Sequence, residues 1–259
     1  MNLSDLLQWN VSLFLLILAR WAGMVMLAPV FGANGVPVIV RLGLATGLSA
    51  VIFPMISATN PVIPAELLPW VALLIKETLM GLVMGFLMNL ITNIMQGAGQ
   101  LIDYQMSFTM GNVIDPINGM QSPLSGSFLA LIATMLLLAT NSHYYILAAI
   151  VKSYHYLPIN PTGLSYSPAF FIAITSKVFV LSLQIAMPIF GAIFLADIGV
   201  GLLSKTVPQL NIFSVIFPVK IIFGFAVFWL MMPAFGDSVS RIFENSIEWL
   251  YDLFRGWST

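Results

Sequence analysis

Charge is scarce in this chain, and the places where it is missing constrain what the chain can become. Only nineteen of the 259 residues are Asp, Glu, Lys or Arg. Long stretches hold none of them: 21–40, 42–65, 78–102, 116–151, 178–196 and 221–236. A helix needs roughly 20 apolar residues to cross a bilayer core about 30 Å thick. Segment 78–102 meets that length outright, as does the apolar part of 116–151, from Phe128 to Val151. Other spans require a tolerated charge: Arg20 within 11–31, Lys177 and Asp197 flanking 178–196, and Lys220 within 212–236. Globular domains average about 25% charged residues. Here the share is 7%, against 59% hydrophobic residues, too little charge to cover a water-facing surface. The expected fold is an all-α membrane protein of about six hydrophobic, kinked helices arranged in hairpins.

Helix breakers divide these runs. Pro29 and the stretch from Gly32 to Pro37 separate the first helix from the second. Asn60-Pro61 to Pro64 ends the second, because a residue before proline is pushed out of the helical region. Pro158 to Gly163 forms a loop after the fourth, and Pro208 and Pro218 bracket the entry to the sixth. Pro188 lies inside the fifth run, where it is expected to kink the helix. Gly97 and Gly99 are expected to fray helix 78–102 into the segment that follows. In 237–255, Val239, Phe243, Ile247, Leu250 and Phe254 recur at helical spacing, with Arg241, Glu244, Glu248 and Asp252 elsewhere around the helix. That segment is an amphipathic helix at an interface or against a partner, or the solvated end of a membrane helix. The first nineteen residues carry Asp5 and no base, the reverse of a signal peptide's basic start, so they are expected to remain as a helix. Lys and Arg show little bias between loops, and several fall within apolar runs, which blurs the positive-inside pattern.

Little in the chain supports enzymatic chemistry. The net charge of −1 offers no field for nucleic acid. Without Cys there are no disulfides or thiolate metal sites. The two His, His143 and His155, have no partner at metal-binding spacing. Ser142 and His143 are adjacent, and neighbours on a helix do not face each other. Gly199 and Gly201 in "DIGVGLLSK" lack the full phosphate-loop spacing. No catalytic residue, metal or cofactor is expected.

Two other groups of residues stand out. Arg20, Lys76, Glu77, Asp103, Asp197, Lys205 and Lys220 interrupt or border apolar runs. A central charge costs about 2.5–3.5 kcal/mol on insertion scales, so such groups face a cavity or pair with one another. In a transporter they serve as ion relays; in an assembly they pair across subunits. Adjacent Lys76 and Glu77 point about 100° apart and require different partners. Gly81 and Gly85 form a G-x-x-x-G that lets helices approach closely, while Met80, Met84, Met88 and Met95 on the same helix suit packing.

The segment "YQMSFTMGNVIDPINGMQSP", 104–123, breaks the apolar pattern with Met, Gly, Asn and Pro between hydrophobic helices. It is either an exposed inter-helix loop or irregular backbone lining a cavity, the one place such backbone is tolerated at membrane depth. Unbranched, polarisable Met would suit a deformable seal there.

Four blocks together resemble the FliR family of flagellar type III export-gate proteins: "LAPVFGANGVPVIVRLGLA" (27–45), "GQLIDYQMSFTMGNVIDP" (99–116), "NSHYYILAAIVKSYHYLPIN" (141–160) and "VPQLNIFSVIFPVKIIFG" (207–224). They follow the family's order over nearly the whole chain. The resemblance implies a non-enzymatic channel subunit in the bacterial inner membrane at the flagellar basal body. Its partners would be FliP, FliQ, FlhB and FlhA, and its cargo unfolded flagellar proteins. It also implies a FliP-like part, 1–167, followed by a FliQ-like part, 168–259. Pro218 and Lys220 would lie at the bend of the FliQ-like hairpin, with Gln209 on its polar approach. The loop at about 104–123 would plug the pore. Met106, Phe108, Met110 and Met120 would form the seal, Gly111 and Gly119 would give mobility, and Asp115-Pro116 would set the final turn. The alternatives are the virulence-type injectisome subunit and an ion-coupled carrier.

Overall fold

A computed structural model describes residues 3–32, 35–108, 123–160, 168–206 and 212–258. Among them are eight helices and no strand: α1 (Leu3–Leu27), α2 (Val38–Ser57), α3 (Leu67–Gln105), α4 (Leu124–Ala139), α5 (His143–Tyr156), α6 (Pro168–Thr206), α7 (Ile212–Leu230) and α8 (Met232–Ser258). α1, α2, α3 and α6 are each long and apolar enough to cross a membrane. The pairs α4–α5 and α7–α8 each add one more as a broken span, giving four to six.

Helix ends fall where the local chemistry dictates. α1 stops two residues before Pro29, and α2 starts directly after Pro37, whose φ of −58° and ψ of 143° leave it outside the helix. Asn60 takes up φ 46° after α2, a left-handed conformation that Asn tolerates through its short polar side chain. α6 opens on Pro168, where the missing N–H has no helical partner to lose.

Three expectations change. Phe128–Val151 is not one helix. It breaks at Thr140–Ser142, where Asn141 has φ 56° and the Thr140 and Ser142 hydroxyls lie 2.7 Å apart. The run 221–236 breaks likewise at Met231, just ahead of Pro233 in the first turn of α8. Gly97 and Gly99 do not fray α3, which continues to Gln105. Its 39 residues extend about 58 Å at 1.5 Å per residue, absorbing Lys76 and Glu77 into the helix.

The chain divides into two compact units, each assembled from separated segments. The first comprises 1–91, 137–172 and 243–259. Its buried residues include Leu13, Leu16, Ile17 and Trp21 of α1, Met80, Met84 and Met88 of α3, Ile150 of α5, and Leu250 and Phe254 of α8. α1 and α3 cross with their backbones in contact. A Cβ on Gly23 would lie 2.6 Å from the Thr78 carbonyl oxygen, one on Gly85 2.6 Å from that of Met24, and one on Gly81 against that of Arg20. The G-x-x-x-G therefore does what its spacing predicts, and the Met residues beside it pack the core.

The second unit comprises 92–136 and 173–242, with Ile94, Met95 and Ile102 of α3, Leu129 of α4, Ile189 and Ile193 of α6, and Phe228 of α7 among its buried residues. Ser182 of α6 donates to the Ile94 carbonyl at 3.0 Å, and absent side-chain bulk at Gly97 leaves room for that hydroxyl. α8 extends the amphipathic helix expected at 237–255. Val239, Phe243, Leu250 and Phe254 are buried, Ile247 is half-buried, and Arg241, Glu244, Glu248 and Asp252 are exposed.

Candidate functional site

The residues before 109 and after 122 are held firmly in the second unit. α3 ends when Ser107 turns into the left-handed region at φ 63°. The Phe108 N–H donates to the Asp103 carbonyl at 3.0 Å and the Ser107 N–H to that of Tyr104 at 3.2 Å. This paired pattern is a Schellman cap, which satisfies the last helical carbonyls. Glycine usually occupies the turning position; a residue with a Cβ bears about 1–2 kcal/mol of strain there. Met106 is buried, its side chain lying against Gly224 of α7. Phe108 meets Phe225 edge to face, ring centroids 5.5 Å apart and planes at 74°.

On the far side, α4 begins after Pro123, and its first turn is bound back to α3. The Ser125 N–H donates to both oxygens of the Asp103 carboxylate, at 3.2 and 3.0 Å, and the Ser125 hydroxyl donates to Oδ1 as well. A carboxylate at a helix N-terminus is stabilised by the helix dipole and by the unsatisfied N–H groups there. That accounts for Asp103 remaining only 2% exposed. A turn further back, Gly99 meets the backbone of Gly126, and a Cβ on Gly126 would lie 2.7 Å from the Gln96 carbonyl. Only two glycines permit this approach. The segment 109–122 is thus bounded by a capped helix end on one side and a carboxylate-anchored helix start on the other.

In the first unit, Arg20 is completely buried and its guanidinium is fully engaged. Nε donates to Glu77 at 2.6 Å, one terminal nitrogen to the Ser153 hydroxyl at 3.0 Å, and the other to the Leu157 carbonyl at 3.0 Å. The guanidinium lies 4.1 Å from the Tyr154 ring centroid, a cation–π geometry. Glu77 Oε1 has no hydrogen-bond partner among the described residues. Lys76 points elsewhere, donating to the Asn160 carbonyl at 3.0 Å; the two adjacent charges do have different partners.

Of the charged residues singled out in the sequence, Arg20 with Glu77 and Asp197 with Lys220 pair inside the chain, the latter at 2.8 Å. Lys205 is exposed near the end of α6. Pro218 and Lys220 lie within α7, and not between two helices. Met106 and Phe108 come together with α7. Met110, Gly111, Asp115, Pro116, Gly119, Met120 and Gln209 lie outside the described residues. Sequence reasoning missed Ser125, Gly126, Ser153 and Gly224. Of these, only the isolated Gly224 in "IIFGFAVF" carried a signal, a helix-weakening residue in an otherwise apolar run.

Apolar helices of membrane-crossing length, with their interior charges paired or capping, define an integral membrane protein. Residues 11–246 match the family described as bacterial export proteins, family 1, and the chain belongs to that family. It is similar to the flagellar biosynthetic protein FliR of Bacillus subtilis strain 168, at 33% identity over 244 residues covering 93% of each chain. It is also similar to FliR of Escherichia coli K12, at 27% over 250 residues covering 95% of this chain and 94% of that one. Yop proteins translocation protein T of Yersinia pestis is 27% identical over 228 residues, 84% of this chain and 85% of that one.

Proposed function

We propose that the chain is a non-enzymatic structural subunit of the flagellar type III protein export gate in the bacterial inner membrane. It forms the pore with FliP and FliQ, adjoins FlhB and FlhA, and passes unfolded flagellar subunits. The Met-rich segment at about 104–123 seals the idle pore, with Met106, Phe108, Met110 and Met120 as the hydrophobic stopper. Gly111 and Gly119 give it mobility, and Asp115-Pro116 sets its final turn. Parts 1–167 and 168–259 correspond in this reading to FliP-like and FliQ-like halves.

The observation that carries the reading is the anchoring of both stems. Asp103 holds Ser125, and Gly99 meets Gly126, so the ends of the segment are fixed close together. A stopper needs a fixed base with an adaptable apolar body, and hydrophobic constrictions hold back ions by dewetting. Deleting 107–119 should raise the ion permeability of cells containing the assembled gate several-fold. Normal permeability in a complex shown to be assembled would remove the seal from the proposal. Affinity purification in mild detergent should recover FliP and FliQ with the chain. Likeness to the Yersinia translocation protein supports a second reading, an injectisome subunit, and recovery of injectisome components in the same purification would select it. A carrier would instead transport a solute as the purified single chain in liposomes.

A further inference from the structure

The end of α3 packs against α7 at that helix's glycine. A Cβ built on Gly224 would lie 2.7 Å from Met106 Cγ, 2.8 Å from Cε and 3.0 Å from Sδ. Three atoms of one side chain thus lie along the single position in α7 where a side chain is missing. The next residue on α7, Phe225, receives Phe108. Between the two seated residues is Ser107, in its left-handed conformation. Strained backbone of this kind persists only where its surroundings over-determine it. The Schellman hydrogen bonds close the turn, and the two seats flank it.

We propose that Gly224 and Phe225 form a latch for the end of α3: Met106 seated over Gly224 and Phe108 against Phe225 keep the Ser107 turn in place, and the seat opens when protein passes. The proposal rests on the export-gate reading. The parts suit a contact that opens and closes. Met is unbranched and adapts its shape to the space it enters. Glycine in a helix interior is unfavourable, so its presence in α7 is explained by the room it gives Met106. Once the seat opens, Ser107 is free to leave the left-handed region, and reseating has to restore the strain.

The chain has no Cys, which makes a cross-link clean. In the full chain within the assembled gate, Met106→Cys with Gly224→Cys should cross-link on oxidation with diamide. Export of flagellar subunits should then fall at least tenfold and return on reduction. Absence of the cross-link in an assembled gate overturns the seat, and a complete cross-link with undiminished export overturns the need for it to open. The export-gate reading is judged separately, by whether cells lacking the chain export normally; the cross-link reports on the seat in either case. A single size change covers the possibility that the double substitution does not assemble. Gly224→Val should raise the ion leak of the idle gate several-fold, whereas Gly191→Val, at a position where an added Cβ meets nothing within 4 Å, should leave it at the parent level. A leak that Gly224→Val leaves at the parent level, or that Gly191→Val raises equally, overturns the proposal.

Discussion

Glu77→Ala should cost the folded chain about 3–5 kcal/mol, the range for removing one partner of a buried ion pair. Arg20→Ala should cost a similar amount. The reason lies in what stays behind. Without Glu77, a guanidinium that cannot lose its charge remains entirely enclosed by protein. Its bonds to Ser153 and the Leu157 carbonyl supply acceptors but no counter-charge. Without Arg20, Glu77 loses its ion-pair partner, and its other oxygen already has no hydrogen bond among the described residues. Replacing both together, Arg20→Met with Glu77→Leu, should cost much less than either single change, because apolar side chains of similar volume often substitute for buried ion pairs. Thermal unfolding of the purified chain in mild detergent measures the difference. A double variant as unstable as the single ones would show that the site's shape, and not its charge balance, carries the stability.

Gly81→Val should destabilise the same unit by about 1–3 kcal/mol or more, as overpacking of a tight contact does. The added carbon would meet the Arg20 carbonyl and the Met24 nitrogen. Both are helix backbone, so no side chain can rotate away and α1 has to move off α3. That movement also pulls Arg20 from Glu77, so the two effects should not simply add. Gly191→Ala provides the control. A Cβ at Gly191 meets nothing within 4 Å, and replacing a mid-helix glycine by alanine gains up to about 1 kcal/mol. Opposite signs for the two substitutions in the isolated chain are expected. Equal effects would mean that glycine acts through helix propensity and not through the crossing.

The sequence showed the fold class and most helix ends because both depend on local signals. Missing charge identified the apolar helices, and Pro29, Pro37 and Asn60-Pro61 marked ends that the structure keeps. Periodicity found the buried face of α8 for the same reason. The breaks at Thr140–Ser142 and Met231 were less visible, since apolar residues on both sides made each pair resemble one continuous run. Pro233 and the polar Thr-Asn-Ser stretch were the available signs. Partners were the hardest to read. Asp103 stood out as a charge in an apolar setting, yet nothing local linked it to Ser125, 22 positions away. Gly99 looked like a place where a helix loosens, whereas Gly126 makes it a crossing. Contacts of this kind depend on which helices become neighbours, and a single sequence does not contain that information locally.

The bond between Arg20 and Glu77 also has a meaning in time. The two residues are 57 positions apart in the chain, and a ribosome makes Arg20 first. Until Glu77 follows, α1 holds a charge with no partner, and entry of that helix into lipid is opposed by about 2.5–3.5 kcal/mol. The partner that removes this penalty arrives with α3, together with the glycines that let the two helices touch. α1 therefore carries a charge whose cost is relieved when α3 packs against it.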